Sequence, residues 1–429
     1  MNAINANAVA KENRTISFVY AGWLAIALFY FYQYILRVAP GVLVTDLRQT
    51  FHLTAEQFAT LGAFYLYAYS LCQIPLGIIV DYIGVRKTVI ASIMLCLSGT
   101  FLLSFAPTLE VLQISRILVG IGSACAFMCS LKIVVDYLPV GKRGFLMGTT
   151  LTLGTLGAIV AGKPLASLAD HVGWRPTVSY TALFGLVILL ITFLFLPRPR
   201  KELLIPVSQD IVRTVSRSLI DVFKTRAIMM YSILAIGVYT PLSVLADLWG
   251  VSFIMQKYTL DRTQAAEISM MMYFGLGLGC LILPWLSEKY HFLNRSIQVC
   301  VFGVLGVFAF LLYGPVLSPL ALKITLILLG IFCGVEMLCF TGASRYTHAR
   351  NVGTTLGVVN TLNMLGGGVL QQLIGWVLDR LWSGRASDGG VRFYNTSEYT
   401  TALSVLLIVI IICCLMSLRL PKDSSNPAV

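Results

Sequence analysis

Charge is what this chain has least of. Asp, Glu, Lys and Arg together make up 12% of its 429 residues, about half of the ~25% typical of a soluble domain. That shortage excludes an ordinary soluble enzyme. The ten cysteines fall inside apolar runs and show no Cys-x-x-Cys spacing. Neither a disulfide framework nor a zinc site is therefore expected, and they read as small buried residues. The four histidines (His52, His171, His291, His348) sit in or beside loops, with no pair at metal-ligand spacing. A serine elbow and a complete Gly-x-x-x-x-Gly-Lys-Ser/Thr loop are also missing, which leaves no visible site for hydrolysis or ATP coupling. Enzymatic activity, a metal and a cofactor are all expected to be absent.

What fills the chain instead is apolar sequence. Hydrophobic residues reach 57% and the mean hydropathy is +0.83. The apolar residues lie in runs of about 20, enough for a helix to cross a bilayer. Twelve such spans are predicted, near 18–46, 56–80, 88–106, 109–133, 145–167, 176–196, 227–254, 266–287, 296–314, 320–344, 353–377 and 399–418. That spacing leaves about 36 residues per span with its loop, too few for a sizeable soluble domain. The first seventeen residues are polar and no small-residue cleavage site follows the first run, so span one reads as retained.

The net charge of +12 is topological. Of the 31 lysines and arginines, twenty fall on one side of the predicted membrane, eight on the other, and Arg37, Arg116 and Lys163 lie within spans. The bias places both termini and the 198–226 segment in the cytoplasm of an inner (plasma) membrane protein. A nucleic-acid partner is not expected. Segment 198–226 is the longest cytoplasmic connection. It opens with Pro197-Arg198-Pro199-Arg200-Lys201 and then alternates apolar and charged residues, the pattern of a linker with an amphipathic helix on the membrane surface.

That linker divides the chain into an N-terminal six-helix bundle (1–197) and a C-terminal one (227–429). Gly77-Ile78-Ile79-Val80-Asp81 ends span two, and Pro284-Trp285-Leu286-Ser287-Glu288 ends span eight 207 residues later. Two related halves of six spans point to alternating access. The expected fold is an all-α membrane protein of twelve transmembrane helices in two pseudo-symmetric bundles, acting as a monomer.

In the first turn between spans stands Gly77-x-x-x-Asp81-x-x-Gly84-x-Arg86-Lys87. The glycines allow a tight turn and close helix approach. Asp81 can pair with a nearby arginine or face a helix N-terminus, forming a latch that closes and opens the cytoplasmic side. The bland alternative is that Arg86 and Lys87 merely supply positive-inside charge. This pattern resembles the signature loop of the major facilitator superfamily. The resemblance spans essentially the whole chain and implies the twelve-helix transporter fold, with a small-molecule solute and the lipid bilayer as partners.

Charges inside a membrane are costly unless they face a cavity or a partner, so each is a candidate site residue. Tyr30, Gln33, Tyr34 and Arg37 share one face of span one; Tyr65, Tyr69 and Gln73 share one face of span two. A guanidinium among phenols and amides suits a carboxylate or phosphate; the alternative is that Arg37 reaches the outer headgroups. Arg116 precedes the small-residue stripe Gly120-x-Gly122-x-Ala124, where it either supports the cavity or bonds carbonyls of a neighbouring span. Lys163 lies at the end of span five, in the cavity or at the outer interface. Glu336, near the middle of span ten, is a carboxylate placed to load and release a proton or to meet an ammonium. Asp247 reads as an outer-gate or interfacial residue. Asn360, Asn363 and Gln371 on span eleven form an amide stripe expected to line a cavity.

Within the superfamily, Tyr34-x-x-Arg37, Tyr69-x-x-x-Gln73-x-Pro75 and Arg116-x-x-x-Gly120-x-Gly122 resemble the anion:cation symporter branch. That resemblance implies organic-anion transport with Arg37 on the substrate carboxylate and Arg116 supporting the same cavity. Acidic residues common in its proton-coupled members are replaced here by Leu36 and Ser123, which leaves Glu336 as the candidate for proton coupling, or uniport. Arg37-Val38-Ala39-Pro40 also resembles the phagosomal transporter subfamily and the lysosomal dipeptide transporter group. The absence of a basic residue in 227–254 ranks organophosphate:phosphate antiporters lower. The expected function is secondary transport, by uptake, of a small carboxylate-bearing solute: an amino acid, short peptide or organic anion. Tyr34, Arg37, Tyr69, Gln73, Arg116, Asn360 and Asn363 are its expected contacts. The alternatives are a drug or metabolite exporter, against which Lys163-Pro164 in place of Gly-Pro argues weakly, and a non-transporting receptor.

Overall fold

The computed structural model describes residues 2–197, 209–348, 351–386 and 390–420. The first part of the expected linker, 198–208, lies outside the described residues. Among the described residues eleven helices are long and apolar enough to cross a membrane, from Phe18–Val42 to Thr396–Ser417. A twelfth, Val352–Leu381, has 30 residues but is more polar, because it carries Asn360, Asn363, Gln371 and Gln372. It is the predicted span eleven. Its amides face the protein: Asn363 and Gln371 are buried. The lipid side is supplied by residues such as Leu71, Phe105, Leu194 and Leu320, each more than 60% exposed. Bare backbone cannot cross hydrocarbon, so helices are the structure such sequence adopts.

Several spans are broken, and the breaks have local causes. Span four runs as Leu109–Ser123 and Ala126–Tyr137, and span ten as Pro319–Cys333 and Glu336–Ser344. Small or weakly helix-forming residues (Ala124, Cys125, Gly334, Val335) stand at these joints, 210 residues apart in the pseudo-repeat. Span seven begins as Arg226–Pro241 and continues through a π-helical segment, Leu242–Trp249, to Gly250–Tyr258. Pro241 has no N–H to donate, so the ladder widens after it. Span two ends on Gly84, whose φ of +84° turns the chain into span three at no Cβ cost.

The two faces of the bundle differ. On the face away from the 209–224 helix, hereafter the far face, contacts between the first and last six spans close the surface. Asp379, near the end of Val352–Leu381, accepts from the backbone N–H of Ala55 (3.2 Å) and Glu56 (2.8 Å) at the start of span two. A carboxylate there meets the positive end of a helix. Arg392 clips Asp379 at 2.9 Å, and Arg48 donates to the Arg392 carbonyl at 2.6 Å. At the start of span eight, Arg262 binds both Asp46 and Asp170. The helix Gln209–Lys224 lies on the other, linker face, where Ser218 donates to Asn351 at 3.1 Å.

Candidate functional site: a central cavity open to the linker face

Between the spans lies a cavity of about 800 Å³, reaching from Asp81, Gly353 and Thr354 at the linker face to Arg37 deep inside. Its walls are mostly apolar, and six aromatic side chains stand among them: Tyr30, Tyr34, Tyr69, Phe127, Tyr239 and Phe340. Tyr30 and Tyr34 meet through their hydroxyls at 3.2 Å, which fixes two phenols one helical turn apart. Gln73 lines the wall and donates to the Ala124 carbonyl at 3.1 Å, the carbonyl exposed by the break in span four. Asn360 also lines it.

Arg37 is 6% exposed and does not reach the outer headgroups. Its Nε and Nη2 donate to one oxygen, Oδ2 of Asp247, at 2.9 and 2.8 Å. Tyr273 donates to the other oxygen of the same carboxylate. The guanidinium also lies 5.7 Å from the Tyr34 ring and 5.4 Å from the Tyr239 ring, within cation–π range. Asp247 is therefore a partner in the deep site, not an interfacial residue. Span seven extends as far as Tyr258, further than its hydropathy suggested, which places Asp247 well inside it. The approach is tight: a Cβ on Gly41 would lie 2.5 Å from the Asp247 carbonyl oxygen, so glycine is required where span one crosses the π-helical segment. Arg37 and Asp247 are 210 residues apart, almost the offset of the internal repeat. The breaks in spans four and ten show the same 210-residue separation.

Glu336 begins the second part of span ten and lines the cavity. Asn363 donates to its Oε1, so this amide orients the carboxylate from behind instead of facing the hollow. Arg37 Nη1 and Glu336 Oε2 have no hydrogen-bond partner among the described residues, and neither is a sealed, unsatisfied atom. The cavity thus presents one positive and one negative open edge.

Arg116 is elsewhere. It is 1% exposed and donates to the carbonyls of Leu61 (2.9 Å), Leu36 (2.8 Å) and Arg37 (3.4 Å), with its guanidinium 4.8 Å from the Tyr65 ring. The expected substrate contact is corrected to a brace: it ties spans one, two and four together behind Arg37. Lys163 is largely exposed and pairs with Glu267 at 3.2 Å, outside the cavity. Gln371 faces protein, donating to the Ser243 carbonyl at 2.6 Å.

In the loop motif, Asp81 pairs with Lys132 at 2.9 Å, in place of the arginine or helix end that spacing suggested. Lys132 also meets Asp136 at 3.4 Å. Arg86 donates to the carbonyls of Phe193 (2.6 Å) and Leu196 at the end of span six, while Lys87 is exposed. Gly77 lines the cavity mouth, with no atom near its missing Cβ. The Asp81 side chain is 45% exposed, so the pair contributes at most about 1 kcal/mol. A contact that weak can be made and broken by ordinary conformational motion. Asp81→Ala is expected to alter the labelling rate of a cysteine introduced at Met128 by a few-fold, measured with a membrane-impermeant thiol reagent in a background without the native cysteines. An unaltered rate would leave this loop with a purely topological role.

Not legible in the sequence were Asp247 as partner of Arg37, Tyr273 as donor to Asp247, Lys132 as partner of Asp81, and much of the aromatic lining. The 210-residue spacing was the available signal for Asp247. The aromatic residues give none, because a cavity-facing phenylalanine and a lipid-facing one look alike in sequence.

A mostly apolar hollow that carries a buried arginine and a buried glutamate inside a twelve-helix membrane bundle is the architecture of a solute transporter. The chain belongs to the Major Facilitator Superfamily, whose family model matches residues 22–371. It is a multi-pass integral membrane protein of that transporter family. The probable sulfoacetate transporter SauU of Cupriavidus necator is 29% identical over 150 residues, 35% of each chain; the match thus spans about a third of that relative's length. The uncharacterized transporter YybO of Bacillus subtilis is 22% identical over 370 residues, 81% of this chain and 84% of its own. Among solved structures, a bacterial homologue of the human lysosomal transporter Spinster, inward-facing and unoccupied, superposes with a TM-score of 0.74. It is 18% identical and the match covers 96% of this chain and 99% of that one. The same homologue in its occupied form gives 0.72. These likenesses establish the fold.

Proposed function

We propose that this protein is a secondary transporter that takes up a small carboxylate-bearing solute, with a zwitterion such as an amino acid or short peptide favoured over a purely anionic one. The observation that carries this reading is the pair of open charged edges, Arg37 Nη1 and Glu336 Oε2, in one aromatic-walled cavity. A guanidinium edge suits a carboxylate; a carboxylate in the same hollow suits an ammonium or a proton. Asp247 occupies Nε and Nη2 of Arg37 and leaves the Nη1 edge for a substrate carboxylate; a purely anionic ligand would leave Glu336 without a partner, whereas the ammonium of a zwitterion meets it. SauU, a probable sulfoacetate transporter, is consistent with an anion on the Arg37 side.

In this reading residues 1–197 and 227–429 are two six-helix bundles that rock about the site, joined by the 198–226 linker. The linker face, rich in lysine and arginine, is the cytoplasmic face of an inner membrane. The structure is then an inward-open state, with the far-face contacts of Asp379 and Arg262 as the closed gate. Tyr34, Tyr69, Gln73 and Asn360 shape the pocket, Asn363 orients Glu336, and Asp81 pairs with Lys132 inside the first bundle while the inner side is open. Binding has a direct test: thermal-shift screening of the purified protein against amino acids, dipeptides, sugar acids, nucleosides and phosphorylated sugars. Stabilisation by carboxylate-bearing compounds that is lost in Arg37→Ala is the expected result. Equal stabilisation of that variant removes the anchor from the mechanism. Flux of a hit compound in proteoliposomes then separates a transporter from a receptor of the same fold.

A further inference from the structure

A second hollow, separate from the central cavity, opens on the linker face where span seven begins and span twelve ends. It measures about 260 Å³. Its basic rim comes from three elements. Lys224 is the last residue of the linker helix, Arg226 the first of span seven, and Arg419 stands just past Thr396–Ser417. Its floor is apolar, formed by Phe223, Met229, Met230, Ile233 and Met416. Among the described residues no aspartate or glutamate lines it, and none of the three cations has an ion-pair partner there. Three like charges gathered without a counter-charge repel one another unless an anion sits among them.

We infer that this groove binds one anionic phospholipid, its phosphate on Lys224, Arg226 and Arg419 and an acyl chain along the methionine floor. The position supports a lipid. Arg226 and Arg419 mark the ends of two membrane spans, the depth at which headgroup phosphates lie, and basic pockets between spans at that level are suited to such headgroups. Arginine forks match phosphate oxygens, and flexible methionines accommodate a chain of variable shape. The floor runs outward into lipid-facing surface, with Phe223 51% and Ile233 37% exposed. A free phosphate would use the rim and have no use for that floor. The bound lipid would pin the end of the linker helix against spans seven and twelve, adding a membrane-borne contact to the Ser218–Asn351 bond. This inference requires the membrane fold and is independent of the carried solute.

The test is native mass spectrometry of the full chain, purified in detergent, titrated with phosphatidylglycerol, phosphatidylcholine or inorganic phosphate. The expected result is retention of phosphatidylglycerol over phosphatidylcholine, with binding at least about tenfold weaker in Lys224→Gln/Arg226→Gln/Arg419→Gln, since each basic residue near the surface contributes substantially to anionic-lipid attraction. Lys289→Gln, a linker-face cation that rests on Trp285 and Tyr290 outside the groove, should bind as the unaltered chain does. If the triple variant does not fold, Arg226→Gln and Arg419→Gln singly should each weaken binding. Equal retention of the two lipids, or phosphatidylglycerol binding indifferent to these substitutions, overturns the inference. So does inorganic phosphate that binds the groove and displaces no lipid, which would mark a free-anion site.

Discussion

Arg37→Lys is expected to cut solute uptake into proteoliposomes by at least about tenfold while leaving the protein folded. The guanidinium uses two of its nitrogens on Asp247 and turns a third toward the cavity. An ammonium is a single point of charge on a flexible stem. It can satisfy Asp247 or a substrate carboxylate, and holding both in a fixed plane is beyond it. Losing one properly aligned charged hydrogen bond costs about 1.5–3 kcal/mol, which is roughly ten- to a hundredfold. Folding should survive because a positive group still answers the buried aspartate; removing it outright, as in Arg37→Ala, strands a carboxylate and costs about 3–5 kcal/mol. A melting temperature close to that of the unaltered protein, with uptake lost, is the expected pair of results. Full uptake by the lysine variant would assign the arginine a structural part alone. Asp247→Asn in the same assay is informative from the other side. With the internal carboxylate neutralised, Arg37 has less to release when a substrate arrives, so apparent affinity for an anionic group should rise while turnover falls.

Glu336→Gln is expected to separate uptake from the proton gradient. The side chain keeps its shape and its bond from Asn363, and loses the ability to exchange a proton. If this residue couples transport, imposing an inward-directed pH gradient accelerates uptake by the unaltered protein and leaves the variant at its equilibrating rate, down several-fold or more. Counterflow exchange, which needs no net proton movement, should persist in the variant. Loss of counterflow together with gradient-driven uptake would mean that Glu336 holds the substrate's ammonium instead. Gradient dependence unchanged by the substitution takes the residue out of the coupling step.

Much of the architecture was written in the chain. Hydropathy located the spans because backbone polar groups must be satisfied inside a bilayer, and helices do so with local bonds. The amide-rich span eleven was placed correctly although its composition is less apolar than the rest, because its apolar residues still recur over a bilayer's depth. The loop after span two was legible for a similar reason: Gly84 and its neighbours act within a few residues, where sequence and space coincide.

The candidate site was legible in its parts and not in its pairings. Arg37, Glu336 and Asn360 stand out because charge and amides are expensive inside hydrocarbon and so demand a cavity or a partner, and they line the cavity with Tyr34, one turn from Arg37. Arg116 met the same criterion and belongs to a different category: three carbonyls satisfy it, and periodicity cannot distinguish a carbonyl cage from a solute. Asp247 was assigned too near the surface because the span's end was misjudged by a few residues. The widened turn after Pro241 then rotates the helix face in a way that a regular helical repeat does not anticipate.

By itself, then, the sequence determined which segments leave water, which side carries the positive charge and which few polar residues go in with them. Each of these depends on local composition weighed against a uniform solvent, and composition is all a sequence displays. The tertiary structure alone decided that Arg37 meets Asp247 across 210 residues, that Arg116 faces carbonyls, and that the hollow opens toward the linker. The first and last depend on how the two halves are set against each other and the second on how helices pack within one half, relations between distant residues that no local pattern encodes.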